Sequence, residues 1–257
     1  MYVQAKEPIL VVTELAPPNQ VLIDGEVAGE GTQFIRDIFA EADLTPNIQM
    51  YPWARAYKIA DELKNTFIYS LARTVEREDK FYWIGPVGRF ELGFIGLSER
   101  DDLIINTTEQ AKVYKIAMQR NDFSTQTLAK LGFEVVLTSD IQKSYSLLLA
   151  KKVDLIVDDP LYMQQMSDYL KLKPAHLKFI YKIDELTIDA YLAANKKTDM
   201  HLIESLQAAF LKNKAKERAA LQVLTLALIT FFISRKVILL FKLFKLPIKA
   251  LYNVIGY

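Results

Sequence analysis

Short apolar runs alternate with amphipathic stretches along most of this chain, the rhythm of strands followed by helices. The run Ile9–Thr13 predicts a first strand. It must stop before Pro17 and Pro18, which fit neither a helix interior nor a ladder. Asp24-Gly25-Glu26 marks a turn, and beyond Gly29 and Gly31 the residues Phe34, Ile35, Ile38, Phe39 and Ala42 share one helical face. The pattern repeats with a strand at Asn47–Tyr51, a helix at Ala54–Leu63 and a strand at Phe67–Leu71. Such alternation predicts a mainly parallel sheet.

A second set follows: strands at Phe90–Leu97, Val113–Ala117 and Phe133–Leu137, with a helix from about residue 124 to 131 between the last two. Ser139 or Asp140 can cap a helix whose Ile141, Tyr145, Leu148 and Leu149 share a face. In the next strand, Val153–Val157, the consecutive Leu155, Ile156 and Val157 imply burial on both sides. Asp189–Ala193 is extended and leads into an amphipathic helix carrying Leu202, Leu206, Ala209 and Phe210.

The tail from Ala219 differs in kind. Leu221–Ile233 is nearly continuous apolar sequence, short of the roughly 20 residues a spanning helix needs. Lys242, Lys245 and Lys249 then lie among Leu, Phe and Ile, with Pro247 interrupting. Three readings of residues 219–257 stay open: a membrane anchor, a segment packed on the protein or a partner, and sequence foreign to the fold. The start, Met1–Glu7, lacks the basic and apolar regions of a secretory signal.

Charge sharpens the division. The formal net charge is +1, yet five of the 32 basic residues and none of the 31 acidic ones lie beyond Ala219, leaving residues 1–218 at −4. No polybasic surface points to nucleic acid. The absence of cysteine removes disulfides, thiol nucleophiles and thiolate metal sites. The only histidines, His176 and His201, lie in no metal-ligand spacing. Gly29-Glu30-Gly31 lacks the third glycine of a nucleotide loop, and no Gly-x-Ser-x-Gly elbow occurs. No metal, cofactor or catalytic residue is expected.

Two stretches concentrate chemistry just past a predicted strand, where open α/β sheets bind ligands. In the first, Ser70-Leu71-Ala72-Arg73-Thr74-Val75-Glu76-Arg77, a guanidinium can hold a carboxylate through two parallel hydrogen bonds, or merely pair with Glu76, Glu78 or Asp79 at the surface. In the second, Asp154 to Pro160, Asp158 and Asp159 can meet a ligand ammonium or cap the helix that Pro160 starts. Tyr51, Trp53 and Tyr57 can line a cleft or belong to the core.

These sites and the strand order around them resemble the extracellular solute-binding proteins of family 3, over about residues 8–215. Thr74-Val-Glu-Arg77 followed by Phe81-Tyr-Trp-Ile-Gly-Pro86 is similar to the family's Thr-x-Glu-Arg and Phe-x-Phe-x-x-Pro pattern. Asp24-Gly25 to Gly29 is similar to its early turn, and Lys152 to Asp159 to its second-lobe strand ending in a ligand-binding acid. Pro52-Trp53-Ala-Arg55-Ala-Tyr57 with Ser70 to Arg77 resembles a less characterised branch of periplasmic binders.

The resemblance implies a periplasmic-binding-protein-like α/β fold of two lobes joined by two crossing strands. The first lobe would comprise residues 1–95 and 190–218 and the inserted second lobe 96–189, with crossings near Phe94–Glu99 and Leu186–Tyr191. It further implies a ligand between the lobes, with Arg77 clamping a carboxylate, Asp159 an ammonium, and Ser124 and Thr125 adding donors. Ser70, Ala72, Arg73, Thr74, Tyr51, Trp53 and Asp158 complete the candidate site. Three departures fall inside it: Ala72 replaces a hydroxyl, Ala16-Pro17-Pro18-Asn19 replaces an aromatic loop, and Asn121-Asp122-Phe123 replaces a glycine-rich turn. Asp122 would repel a carboxylate unless turned away.

The expected function is capture of a small polar solute by a periplasmic monomer for an ABC-type permease, with no bond made or broken. The alternative is a membrane-tethered sensing domain with a signalling partner. A dehydratase-like enzyme on the same fold would need a general acid or base, and no histidine is well placed for one.

Overall fold

The computed structural model describes residues 9–171 and 176–243, with side chains placed through Thr225. The chain opens with β1 (Leu10–Thr13) and a hairpin of β2 (Val21–Ile23) and β3 (Glu26–Ala28). Asp24 and Gly25, both at positive φ, form the hairpin's two-residue turn, the backbone twist such turns require. Helix α1 (Glu30–Glu41), β4 (Asn47–Met50), α2 (Trp53–Glu62) and β5 (Thr66–Ala72) follow. Next come β6 (Phe81–Leu97), β7 (Ile116–Gln119), α3 (Phe123–Lys130), β8 (Val135–Thr138), α4 (Ile141–Leu149), β9 (Leu155–Asp158) and α5 (Pro160–Tyr169). The long β10 (Leu177–Asn195) and α6 (Met200–Leu243) complete the order.

Eight strands form one sheet in the order β4-β1-β5-β10-β6-β9-β7-β8. β1 runs parallel to β4 and β5, and β7 parallel to β8 and β9, as the alternating pattern predicts. The two central strands are instead antiparallel to each other and to their outer neighbours. β10 meets β5 only from Ala190 onward, and β6 meets β9 only at Gly93–Ile95. Between these points the halves are joined by a two-stranded ribbon, whose register breaks between Lys182 and Thr187. The crossing on β6 thus precedes the expected Phe94–Glu99, since Phe94 and Ile95 already pair with Val157 and Ile156. A side chain at Gly93 would overlap the Tyr181 carbonyl, so the ribbon's two backbones approach here as only glycine permits.

Four hydrophobic clusters line the sheet's two faces. Val11 and Phe67 pack with Ile35, Phe39, Ile203 and Phe210, whereas their neighbours Val12 and Ile68 pack with Trp53, Ala56 and Phe81. In the other half Phe94, Ile116 and Leu155 face Leu128, while Ile95, Ala117 and Ile156 face Tyr145, Leu148 and Met166. Adjacent residues on opposite faces, both covered, account for the unbroken apolar runs. Each such side chain contributes about 1.5–3 kcal/mol by leaving water.

The chain divides after Phe210 into a second compact unit, Leu211–Tyr257. In it α6 continues to Leu243, with Leu211, Leu221, Val223 and Leu224 exposed. Among the described residues no helix is long and apolar enough to cross a membrane. Pro247 and Lys249 of the expected interfacial segment lie outside the described residues.

Candidate functional site

A cavity of about 780 Å³, its open mouth included, is lined from both halves of the sheet. Its walls are built where β1 and β5 end in one half and β7 and β9 in the other, because within each half parallel strands deliver their following loops to one edge. Glu14 follows β1, Ser70 and Ala72 close β5, Gln119 closes β7, and Asp158 closes β9. Phe90 and Leu92 of the connecting ribbon also line it.

Arg77 sits on this wall almost wholly buried, at 3% exposure. Its Nη1 donates to the Ala72 carbonyl at 3.2 Å and its Nη2 to the Asn121 carbonyl at 3.4 Å. The guanidinium carbon lies 5.0 Å from the Tyr57 ring centre and 5.6 Å from that of Trp53, within cation–π range. Trp53 Nε1 donates to the same Asn121 carbonyl at 3.0 Å. Two side chains of the first half therefore converge on one carbonyl of the second. Burial lowers the Arg77 pKa, and the nearby Asp122 carboxylate partly restores it.

The opposite wall is acidic. Asp122 caps α3, accepting from the Ser124 N–H at 3.1 Å; burial raises its pKa, which that bond and Arg77 oppose. Asp158 accepts from the Tyr145 hydroxyl and from the Asp159 N–H, and burial pushes it up to about 6. Asp159, 1% exposed, caps α5 through the Leu161 N–H at 2.9 Å and accepts from the Glu91 N–H at 3.1 Å. Burial raises its pKa too. Glu14, half-buried just past the end of β1, is raised well above its ordinary value by burial and then by Asp122.

Of the residues singled out in the sequence, Trp53, Ser70, Ala72, Arg77, Ser124, Asp158 and Asp159 line this cavity. Ser70, held at φ 58, accepts a hydrogen bond from Gln20. Thr125 is buried behind the wall, its hydroxyl donating to the Gln119 carbonyl. Tyr51 lines a separate recess beside Pro52 and Ile141. Arg73 turns outward to pair with Glu78 and lies 5.1 Å from the Trp83 ring, while Thr74 stands outside the lining with its hydroxyl buried and unpartnered. Glu14, Gln20 and Gln119 were not anticipated. Glu14 and Gln119 obey the strand-end rule that selected Ser70 and Asp158, and that signal would have found them. Among the described residues no group of three or more ligating side chains is placed to hold a metal ion.

No protein-family model matches the sequence. No curated protein matches it either. Solved structures match its fold. A histidine kinase sensor domain with similarity to periplasmic binding proteins is 17% identical, covering 84% of this chain and 95% of its own, with a TM-score of 0.73. An ancestral arginine-binding protein bound to arginine is 16% identical over 82% of this chain and 93% of its own, with a TM-score of 0.70. The GluR0 ligand-binding core from Nostoc punctiforme, in complex with L-glutamate, is 15% identical over 82% and 94%, with a TM-score of 0.68. At these identities the likeness is one of architecture, and the chain has a periplasmic-binding-protein-like, two-lobed α/β fold.

Proposed function

We propose that this chain is a binding module that takes a small polar solute into the cavity between its lobes and closes over it, without chemical turnover. The observation carrying this reading is the cavity itself, walled by strand ends of both halves and bridged by Trp53 and Arg77 at the Asn121 carbonyl. The lobes divide where β6 and β10 exchange outer partners, and bending of that ribbon at its register break is the closing motion. Trp53, Ser70, Ala72, Ser124, Asp158 and Asp159 are the proposed contacts, in a periplasmic setting.

Capture for a membrane permease and signal input are both served by this device. Input to a signalling partner gains support from the sensor-domain structure among the neighbours. A thermal-shift screen of the full chain against amino acids, small carboxylates and polyamines tests solute binding. A ligand at about 100 times its Kd adds about 2.7 kcal/mol of stability. Failure of every class to stabilise the protein would sink the reading. Co-purification with a permease or a kinase then separates transport from sensing.

A further inference from the structure

The cavity's charges do not balance. Glu14, Asp122, Asp158 and Asp159 line it, against Arg77 as its single cation among the described residues. That cation is committed within the protein: two of its nitrogens serve backbone carbonyls, its face lies against two rings, and Asp122 is the countercharge that does most to raise its pKa. A ligand carboxylate arriving at Arg77 would meet Asp122 already there. Asp122 also holds the α3 N-terminus, the other anion-attracting feature of this wall.

The cavity's unmet hydrogen-bonding capacity has the same sign. Gln119 Oε1, on a residue 8% exposed, and Gln20 Oε1, on a residue 1% exposed, have no hydrogen-bond partner, and both residues line the cavity. A buried acceptor without a donor costs about 1–3 kcal/mol, so each would be relieved by an N–H or O–H that closure on the occupant brings within reach. Glu14 and Asp158 are pressed toward their neutral forms by burial and by neighbouring carboxylates, a cost that an incoming cation removes. Between these polar points Phe90, Leu92 and Val157 offer apolar wall suited to methylenes.

We propose that the solute is a small organic dication without a carboxylate, of the α,ω-diamine or guanidino-amine class, its charged ends taken by Glu14 and by Asp158, with Asp122 excluding amino acids. The inference rests on reading the cavity as a solute site. It is tested by isothermal titration of the full chain at about pH 7.5 with two matched pairs, agmatine against arginine and cadaverine against lysine, whose members differ by a carboxylate. The decarboxylated member of at least one pair is expected to bind roughly tenfold tighter or more, about 1.4 kcal/mol. Equal or tighter binding of the amino acids overturns the proposal.

Silence of all four probes alongside binding of glutamate or a neutral solute overturns it too, while leaving the solute-binding reading intact. Silence of every compound ends both. Asp122→Ser keeps a helix-capping side chain while removing the charge. With folding checked by circular dichroism, this variant is expected to narrow the gap within each pair at least threefold. An unchanged gap removes Asp122 from the role assigned here. Glu14→Gln is expected to weaken agmatine about tenfold, and no change would overturn the assignment of that end.

Discussion

The two walls of the cavity hold their charges differently. On the β5 side the cation Arg77 is consumed by the fold through the carbonyls of Ala72 and Asn121 and the rings of Trp53 and Tyr57. On the β7 and β9 side three carboxylates are anchored by backbone N–H groups, the Ser124 side chain and one tyrosine hydroxyl, neutral donors that fix their position. Burial then raises all three pKa values. An arginine near a cleft is therefore a different object from an arginine offered to a ligand, and the distinction rests on where its five donors go.

The sharpest break of this contrast is Arg77→Ala. If Arg77 is part of the fold, its removal leaves two carbonyls short of donors and Asp122 without its countercharge. Removing a buried cation that serves two carbonyls and faces a buried carboxylate is expected to cost about 3 kcal/mol, read in urea denaturation of the solute-free protein. A loss under about 1 kcal/mol would mean that the guanidinium is idle until a ligand arrives, and the two walls would then be alike.

The acidic wall is tested by pH. Asp158 rises from an ordinary 3.8 to about 6, so the folded state binds a proton more readily than the unfolded one. Its contribution is most favourable below about pH 4 and is lost as pH rises through about 6. Asp158→Asn should remove on the order of 2 kcal/mol of that decline, with the raised Glu14 maintaining a residual slope of the same sign. Carboxylates held low by surface partners, such as Glu76 at about 2, act below that window. A parallel shift of the whole stability curve, with its slope intact, would show that Asp158 carries no buried charge.

Much of this architecture was legible in the chain. The runs at β1, β5 and β9 stood out because both faces of the sheet are covered, which makes consecutive residues apolar. The ribbon was harder to see. Gly85, Pro86 and Gly88 carry no strand signal, nor does Asp184-Glu185, although all lie within β6 or β10. Exposed at its middle and paired chiefly strand to strand, the ribbon has no apolar alternation to announce it. Position selected loops that line the cavity, but composition could not say which arginine turns inward. Arg73 and Arg77 are four residues apart in one polar stretch, and only the short turn at Val75–Arg77 sends one to the surface and the other beneath Trp53. Asp122 was legible as a mismatch with amino-acid binders, whereas Glu14 was overlooked beside the prolines that follow it.

The bridge between the walls offers a smaller test. Trp53→Phe keeps an aromatic face for Arg77 and removes only the Nε1 donor to Asn121, whose carbonyl retains Arg77 Nη2 at 3.4 Å. A loss of about 1 kcal/mol is expected, the ordinary net worth of one hydrogen bond. Faster amide exchange around Asn121 should accompany it. Unchanged exchange would mean that the bridge does not hold the walls together.

Arg73→Ala should have the smallest effect and is the control for the first variant. Arg73 makes two hydrogen bonds to Glu78 and lies against the Trp83 and Tyr191 rings, but its side chain is 37% exposed and that of Glu78 46%. Water and salt screen such a pair, so its loss is expected to cost within about 0.5 kcal/mol, shrinking further in high salt. The comparison turns on the ratio: two arginines of one loop, alike in sequence, should differ about sixfold in their contribution to stability. If Arg73→Ala proves as damaging as Arg77→Ala, the loop acts as a single unit, and the inward turn of Arg77 loses its meaning as the feature that reserves the cavity's charge for its carboxylates.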